Sequence, residues 1–118
     1  MRAMRGPLIE VVASARHSAL HAWPDAPAAV AFLRHLHRHE FHVRCWLVVS
    51  HADREVEIID LKRRVITTLE SLSPMTPQGR SFGSLSCEAI ATALCDVLHL
   101  SRCEVLEDGE NGAEVRMP

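Results

Sequence analysis

The stretch HLHRHEFHV, His35 to Val43, runs without a break into RCWLVV, Arg44 to Val49, and its register decides the fold. Four histidines fall within eight residues here. From Glu40 the apolar period becomes two: Phe41, Val43, Cys45, Leu47 and Val49 share one parity. The even positions mix His42 and Arg44 with Trp46 and Val48, the pattern of a strand covered mainly on one face. Residues two apart on a strand project from the same side, roughly 7 Å apart. A strand-borne His37-x-His39 can therefore present two imidazoles to one ion. His42 points to the opposite face, and His35, although of the same parity, falls where a preceding helix is expected to end.

Working outward, LIEVVASA, residues 8 to 15, is rich in apolar and β-branched types and predicts a strand after Pro7. HAWPDAPAAVAFLRHLH then places Val30, Phe32, Leu33 and Leu36 on one face of a short helix, with Asp25 as N-cap and Pro27 close to the first turn. On the C-terminal side SHADRE predicts a turn, and VEIIDL a second strand or an extended lead into a helix. LKRRVITTLESL spaces Leu61, Val65, Thr68, Leu69 and Leu72 by three and four, as in an amphipathic helix. SPMTPQGRSFGSL, with two prolines and two glycines, is the clearest loop in the chain. A second helix is predicted from Cys87 to Leu98, with Ser86 as N-cap, Glu88 in the first turn, and Ile90, Ala91, Leu94, Val97 and Leu98 as its apolar face. RCEVLE and AEVRM read as strands joined by the turn DGENG. The order predicts an α+β fold in which two helices cover one face of an antiparallel sheet.

A chain of 118 residues suits one domain, long enough to bury a core without a structural metal or disulfides, so a metal site here reads as functional. It is 47% hydrophobic and 24% charged with a formal net charge of −2, which argues against an extended nucleic-acid surface. No apolar run approaches the length of a membrane span. MRAMRGPLIEVV lacks the apolar core of a signal peptide, so a cytoplasmic location is expected. The four cysteines, Cys45, Cys87, Cys95 and Cys103, contain no C-x-x-C pair and read as free thiols, with Cys45 and Cys95 as small core residues.

Eight histidines is the anomalous number. H-x-H on a strand plus a third histidine from an earlier strand, His21 or His17, gives the three-nitrogen pattern of a catalytic zinc with an open position. A solvated, partly basic face fits the same spacing. So does a phosphate site built on the interleaved Arg34, Arg38 and Arg44, although aromatic stacking residues for a nucleic-acid groove are missing.

The succession HRHEFHVRCWLVV, EIIDLKRRV, SCEAIATAL and CEVLEDGENGAEV resembles, over roughly residues 8 to 116, the 6-pyruvoyltetrahydropterin and 6-carboxytetrahydropterin synthases of the tunnelling fold. That family shows H-G-H-N-Y/F on a strand, D-F-x-x-L-K entering the first helix, P-T-x-E-N opening the second and V-x-V-x-E-T before the final strand. The resemblance implies that His37 and His39 are paired zinc ligands with His21, or else His17, as the first. It implies that Glu107 anchors the amino and ring N–H edge of a pterin or purine-like ring, and that Glu88 matches the glutamate of P-T-x-E-N. A carboxylate suits that role because it accepts two parallel hydrogen bonds.

The expected activity is a zinc-dependent carbon–oxygen lyase acting on a dihydropterin such as dihydroneopterin triphosphate, in pterin or deazaguanine (queuosine) biosynthesis. The expected assembly is a ring-shaped homo-oligomer. The chain departs from the family in two places. Leu33 to Leu36 stand where a catalytic cysteine precedes the H-x-H, and SPMTPQGRSFGSL lacks the family's Asp-His pair. The alternative expectation is therefore a non-catalytic module that binds a pterin or purine-like ligand. His35, His42 and Cys87 are the candidate replacements for the acid/base groups, Cys87 because a helix N-terminus lowers a thiol pKa.

Overall fold

A computed structural model describes residues 6–118. Residues 1–5, part of the segment read for a signal peptide, lie outside the described residues.

Two long strands, β1 (Ile9–His21) and β2 (His37–Val49), form the frame. They pair antiparallel in unbroken register from Ile9 opposite Val49 to His21 opposite His37. β1 is longer than the predicted 8 to 15 because its alternation continues through Ala15 and Ala19 to His21, all of them buried. β2 starts at His37 rather than Glu40, so both H-x-H histidines lie on the strand.

Helix α1 (Ile58–Leu72) begins three residues earlier than its apolar spacing suggests. The reason is its cap: the carboxylate of Glu57 accepts from the backbone N–H groups of Ile59 and Asp60, each at 2.9 Å, satisfying two donors that the first turn leaves free. VEIIDL is thus the lead into a helix rather than a strand. Leu61, Val65, Thr68 and Leu69 are buried as the spacing requires.

The predicted loop after α1 contains a hairpin, β3 (Met75–Thr76) and β4 (Gly79–Arg80), closed around Pro77-Gln78 with Gly79 at φ 118°. Arg80 extends from it to donate to the carbonyls of Glu70 and Ser73, both at 3.1 Å, which places a cation on the open C-terminal end of α1.

Helix α2 (Cys87–Leu98) has the predicted bounds, with the Ser86 hydroxyl accepting from Ala89 N–H. Its buried face is Cys87, Ile90, Ala91, Leu94, Cys95 and Leu98. Val97 was expected there but is 57% exposed, because Cys95 occupies the inward position one turn from Leu98 and Ala91. β5 (Arg102–Glu107) and β6 (Asn111–Arg116) complete an antiparallel sheet of order β1-β2-β5-β6, whose core face α1 and α2 cover.

One predicted element differs in kind. Ala28–Arg34 is a kinked 3-10 segment, not an α-helix, and Asp25 does not cap it. With three residues per turn, Val30 and Leu33 turn inward while Phe32 points out and is 72% exposed.

The helices are shorter than the strands. α1 is about 22 Å long at 1.5 Å per residue, and β1 about 43 Å at 3.3 Å. The His21/His37 end of the sheet is instead closed by the 3-10 segment, through Trp23 N–H to Leu33 O at 2.7 Å, and by the loop before α2, through Ala22 N–H to Gly83 O at 2.9 Å. No described helix is long and apolar enough to cross a membrane.

Candidate metal centre

The register brings the odd-numbered residues of three strands together at this end. His21 faces His37 directly, Ala19 faces His39, and Phe41 faces Glu107. His21, His37, His39 and Glu107 therefore share the core face, just beyond the point where helix cover stops. Phe41 forms the floor: it is fully buried, with ring centroids 5.1 Å from His21, 5.8 Å from His39 and 5.0 Å from Phe82.

Each imidazole is held by an acceptor on its outer nitrogen. Nδ1 of His21 donates to Leu85 O at 3.0 Å, Nδ1 of His37 to His35 O at 2.8 Å, and Nδ1 of His39 to Asp108 Oδ2 at 2.7 Å. Carbonyl and carboxylate oxygens only accept, so all three protons sit on Nδ1. The neutral rings then turn their Nε2 lone pairs toward one another. One ligand atom from each ring lies within 4.8 Å of the others. An acceptor behind each imidazole is the arrangement that fixes the tautomer of metal-ligating histidines.

The inner nitrogens have no protein donor to satisfy them. Nε2 of His21 and Nε2 of His39 are the buried side-chain polar atoms without a hydrogen bond among the described residues. Glu107 approaches them, Oε2 at 2.9 Å from His21 Nε2 and Oε1 at 3.5 Å from His39 Nε2. A neutral ring protonated on Nδ1 cannot donate across these distances, so each contact is an ion pair only where its imidazole is doubly protonated. Lone pairs facing a negative group require a cation between or beside them. Protonation is the weaker remedy: burial holds the His21 pKa below its ordinary value, outweighing the raising effects of Leu85 O and Glu107. A metal ion satisfies all three nitrogens and the carboxylate together, and neutral imidazoles are the form it requires. The residues present fit a metal.

The sequence matches no family model and no curated protein.

The centre opens on a cleft of about 440 Å³, a size suited to a small organic ligand, where His21 and His37 meet Trp23, Cys87, Glu88 and Glu107. Six of the residues singled out from sequence thus converge around the centre and its cleft: His21, His37, His39, Glu107, Cys87 and Glu88. Three do not. His17 Nε2 bonds Ser73 Oγ at 2.7 Å beside the end of α1, so His21 takes the first-ligand position. His42 lies on the other sheet face and pairs with Glu40 Oε1 at 2.9 Å. His35 is exposed and contributes its carbonyl instead of its ring.

Cys87 is in the cleft, but its expected acidification is reversed. Burial and the Glu107 and Glu88 carboxylates push its thiol up to about 12, overriding the helix N-terminus. It is a thiol at neutral pH.

Asp108 has no place in the sequence reading, which treats DGENG as turn chemistry alone. The turn holds Asp108 in the left-handed region at φ 56° and hydrogen-bonds its N–H to Glu40 O at 2.8 Å. One carboxylate oxygen then accepts from Glu40 N–H at 3.0 Å and the other from His39. These partners are nearly 70 residues apart in sequence, and only the β2–β5 register joins them.

Proposed function

We propose that this chain is a zinc-binding tunnelling-fold protein, a divergent relative of the 6-pyruvoyl- and 6-carboxytetrahydropterin synthases, acting as a carbon–oxygen lyase on a dihydropterin. The observation that carries the reading is the convergence of three Nδ1-anchored imidazoles whose inner nitrogens, two of them buried and without partners, face a carboxylate and an open cleft. Nitrogen ligands with an open position favour zinc over the harder, oxygen-seeking cations.

When bound, zinc supplies Lewis-acid polarisation of substrate side-chain oxygens and acidifies the neighbouring C–H. Glu107, partly buried against His21 and His39, anchors the amino and ring N–H edge of the pterin beside that centre. Glu88, at the exposed first turn of α2, lines the same cleft as a second substrate-binding carboxylate. Trp23 and Leu33 provide apolar cover for a flat ring. Among the described residues the sheet ends in the edge strands β1 and β6, and β1 is bridged on its outer side only near Leu20; such edges support closure with further copies into a ring-shaped homo-oligomer.

A second reading, a binding module without turnover, is favoured by the protonated Cys87 and by the placing of His35 and His42 outside the cleft. Metal content of the purified protein, followed by an assay with dihydroneopterin triphosphate, separates the two. One zinc per chain with turnover that Glu107→Gln abolishes supports the lyase. One zinc with pterin affinity and no turnover supports the module. Less than one zinc at saturation, unchanged by His37→Ala, refutes both.

A further inference from the structure

A second cleft, of about 610 Å³, is lined by Arg16, His42 and Arg44 from even-numbered positions of β1 and β2, the parity opposite to that of the histidine centre. Its wall is completed by Lys62 and Ile66 of α1 and by Glu104 and Leu106 of β5.

The charges in this cleft are unbalanced. Arg54, Arg80, Arg102 and Arg116 each form an ion pair with a carboxylate. Arg16, Arg44 and Lys62 form no ion pair among the described residues, nor does Glu104, the one carboxylate in the lining. Three cations therefore stand around a concave space, with Glu104 directly opposite Arg44 and the Glu40 carboxylate held by the lining His42.

The register explains their grouping. Arg16 faces His42, and Ser14 faces Arg44, so the two guanidinium groups rise from diagonal positions of neighbouring strands, about 7–8 Å apart at their bases. Guanidinium groups rising from neighbouring positions of one sheet face suit phosphate oxygens, which accept paired N–H bonds. Ile66 and Leu106 add apolar wall for an organic portion, and the volume falls within the range of small-molecule pockets. The cleft at the histidine centre has the opposite character, with Glu88 and Glu107 in its lining.

We propose that this second cleft binds a phosphorylated small molecule carrying a di- or triphosphate group, independently of the metal centre. Isothermal titration of the purified protein with inorganic triphosphate, and separately with ATP, tests it. Saturable binding is expected, weakening as salt rises. Arg44→Ala or Arg16→Ala lowers affinity about tenfold, the loss of one charge-assisted contact, and His37→Ala leaves it unchanged. Equal affinity for the two probes assigns recognition to the phosphates alone, and tighter ATP binding adds the apolar wall; either supports the site. Absence of saturable binding overturns the proposal, as does binding that survives Arg16→Ala/Arg44→Ala or is lost in His37→Ala. Light scattering guards against another origin: if the double variant changes the oligomeric state without changing anion affinity, the cations belong to a subunit contact and the proposal fails.

Discussion

Replacing Asp108 by Asn probes the metal centre from outside its ligand set. Asp108 uses both carboxylate oxygens, one on Glu40 N–H at 3.0 Å and one on His39 Nδ1–H at 2.7 Å. An amide has one acceptor oxygen, so Asn satisfies one of these donors and turns its NH2 toward the other. It also removes the negative charge behind the His39 ring. His39 bonding, then the Glu40 N–H, holds the Asp108 pKa below its ordinary value, so the carboxylate is ionised throughout the neutral range. Loss of an outer partner of this kind costs about tenfold to a hundredfold in metal affinity. The fold has little reason to respond, because Asp108 is half exposed and Asn tolerates its left-handed backbone. Competition against a chromophoric zinc chelator measures the affinity, and thermal unfolding of the metal-free protein measures the fold. The expected result is weakened zinc binding, His39→Ala weaker still, and an unfolding temperature within about 2 °C of the parent, on the scale of a neutral surface substitution. Unchanged zinc affinity in Asp108→Asn beside its loss in His39→Ala would show that Asp108 does not support the ligand. Unchanged affinity in both would remove the centre itself.

Three further outcomes follow from the same geometry. Phe41→Leu removes ring contacts from beneath His21 and His39, and should cost roughly 1–3 kcal/mol in urea unfolding while weakening zinc less than loss of a ligand does; equal stability would mean that the floor is not tightly packed. Cys87, its thiol pushed up to about 12, should alkylate far more slowly at pH 8 than free cysteine, and rapid labelling under native conditions would contradict its protonated state. His17, whose pKa is lowered from 6.5 by burial and then by Arg80, is bound neutral in the fold. The unfolded chain takes up its proton first as pH falls, so this contribution is complete above about 6.5, declines below it and is gone below the folded value. The slope of stability between pH 7 and 5 should therefore flatten in His17→Gln; an identical slope would assign the acid sensitivity elsewhere.

Local chemistry makes much of the fold legible in the sequence. The period of two in FHVRCWLVV identified a strand, the spacing of Leu61, Val65 and Leu69 a helix, and Ser86 with Glu88 the start of α2. Each signal lies within one element, where burial period and capping act over a few residues. The 3-10 segment departs from the expected helix because its apolar residues imply a helical face only if a surface exists to bury them, and none of them is fully buried. The hairpin at Thr76 and Gly79 went unread because two-residue strands carry no period.

By itself the sequence determined that His37 and His39 share a face and that His42 does not, since parity along a strand is a local property. Tertiary structure decided the rest of the centre. Strand pairing chose His21 over His17, because one lies opposite His37 at the open end of the sheet while the other packs against the end of α1. It set Glu107 beside the inner nitrogens and Asp108 behind His39. It also turned Cys87 from an expected thiolate into a thiol, since burial of the sulfur, with the Glu107 and Glu88 carboxylates beside it, outweighs a helix dipole. A metal site is a set of distances between strands, and those distances come from register and packing, which no single segment encodes.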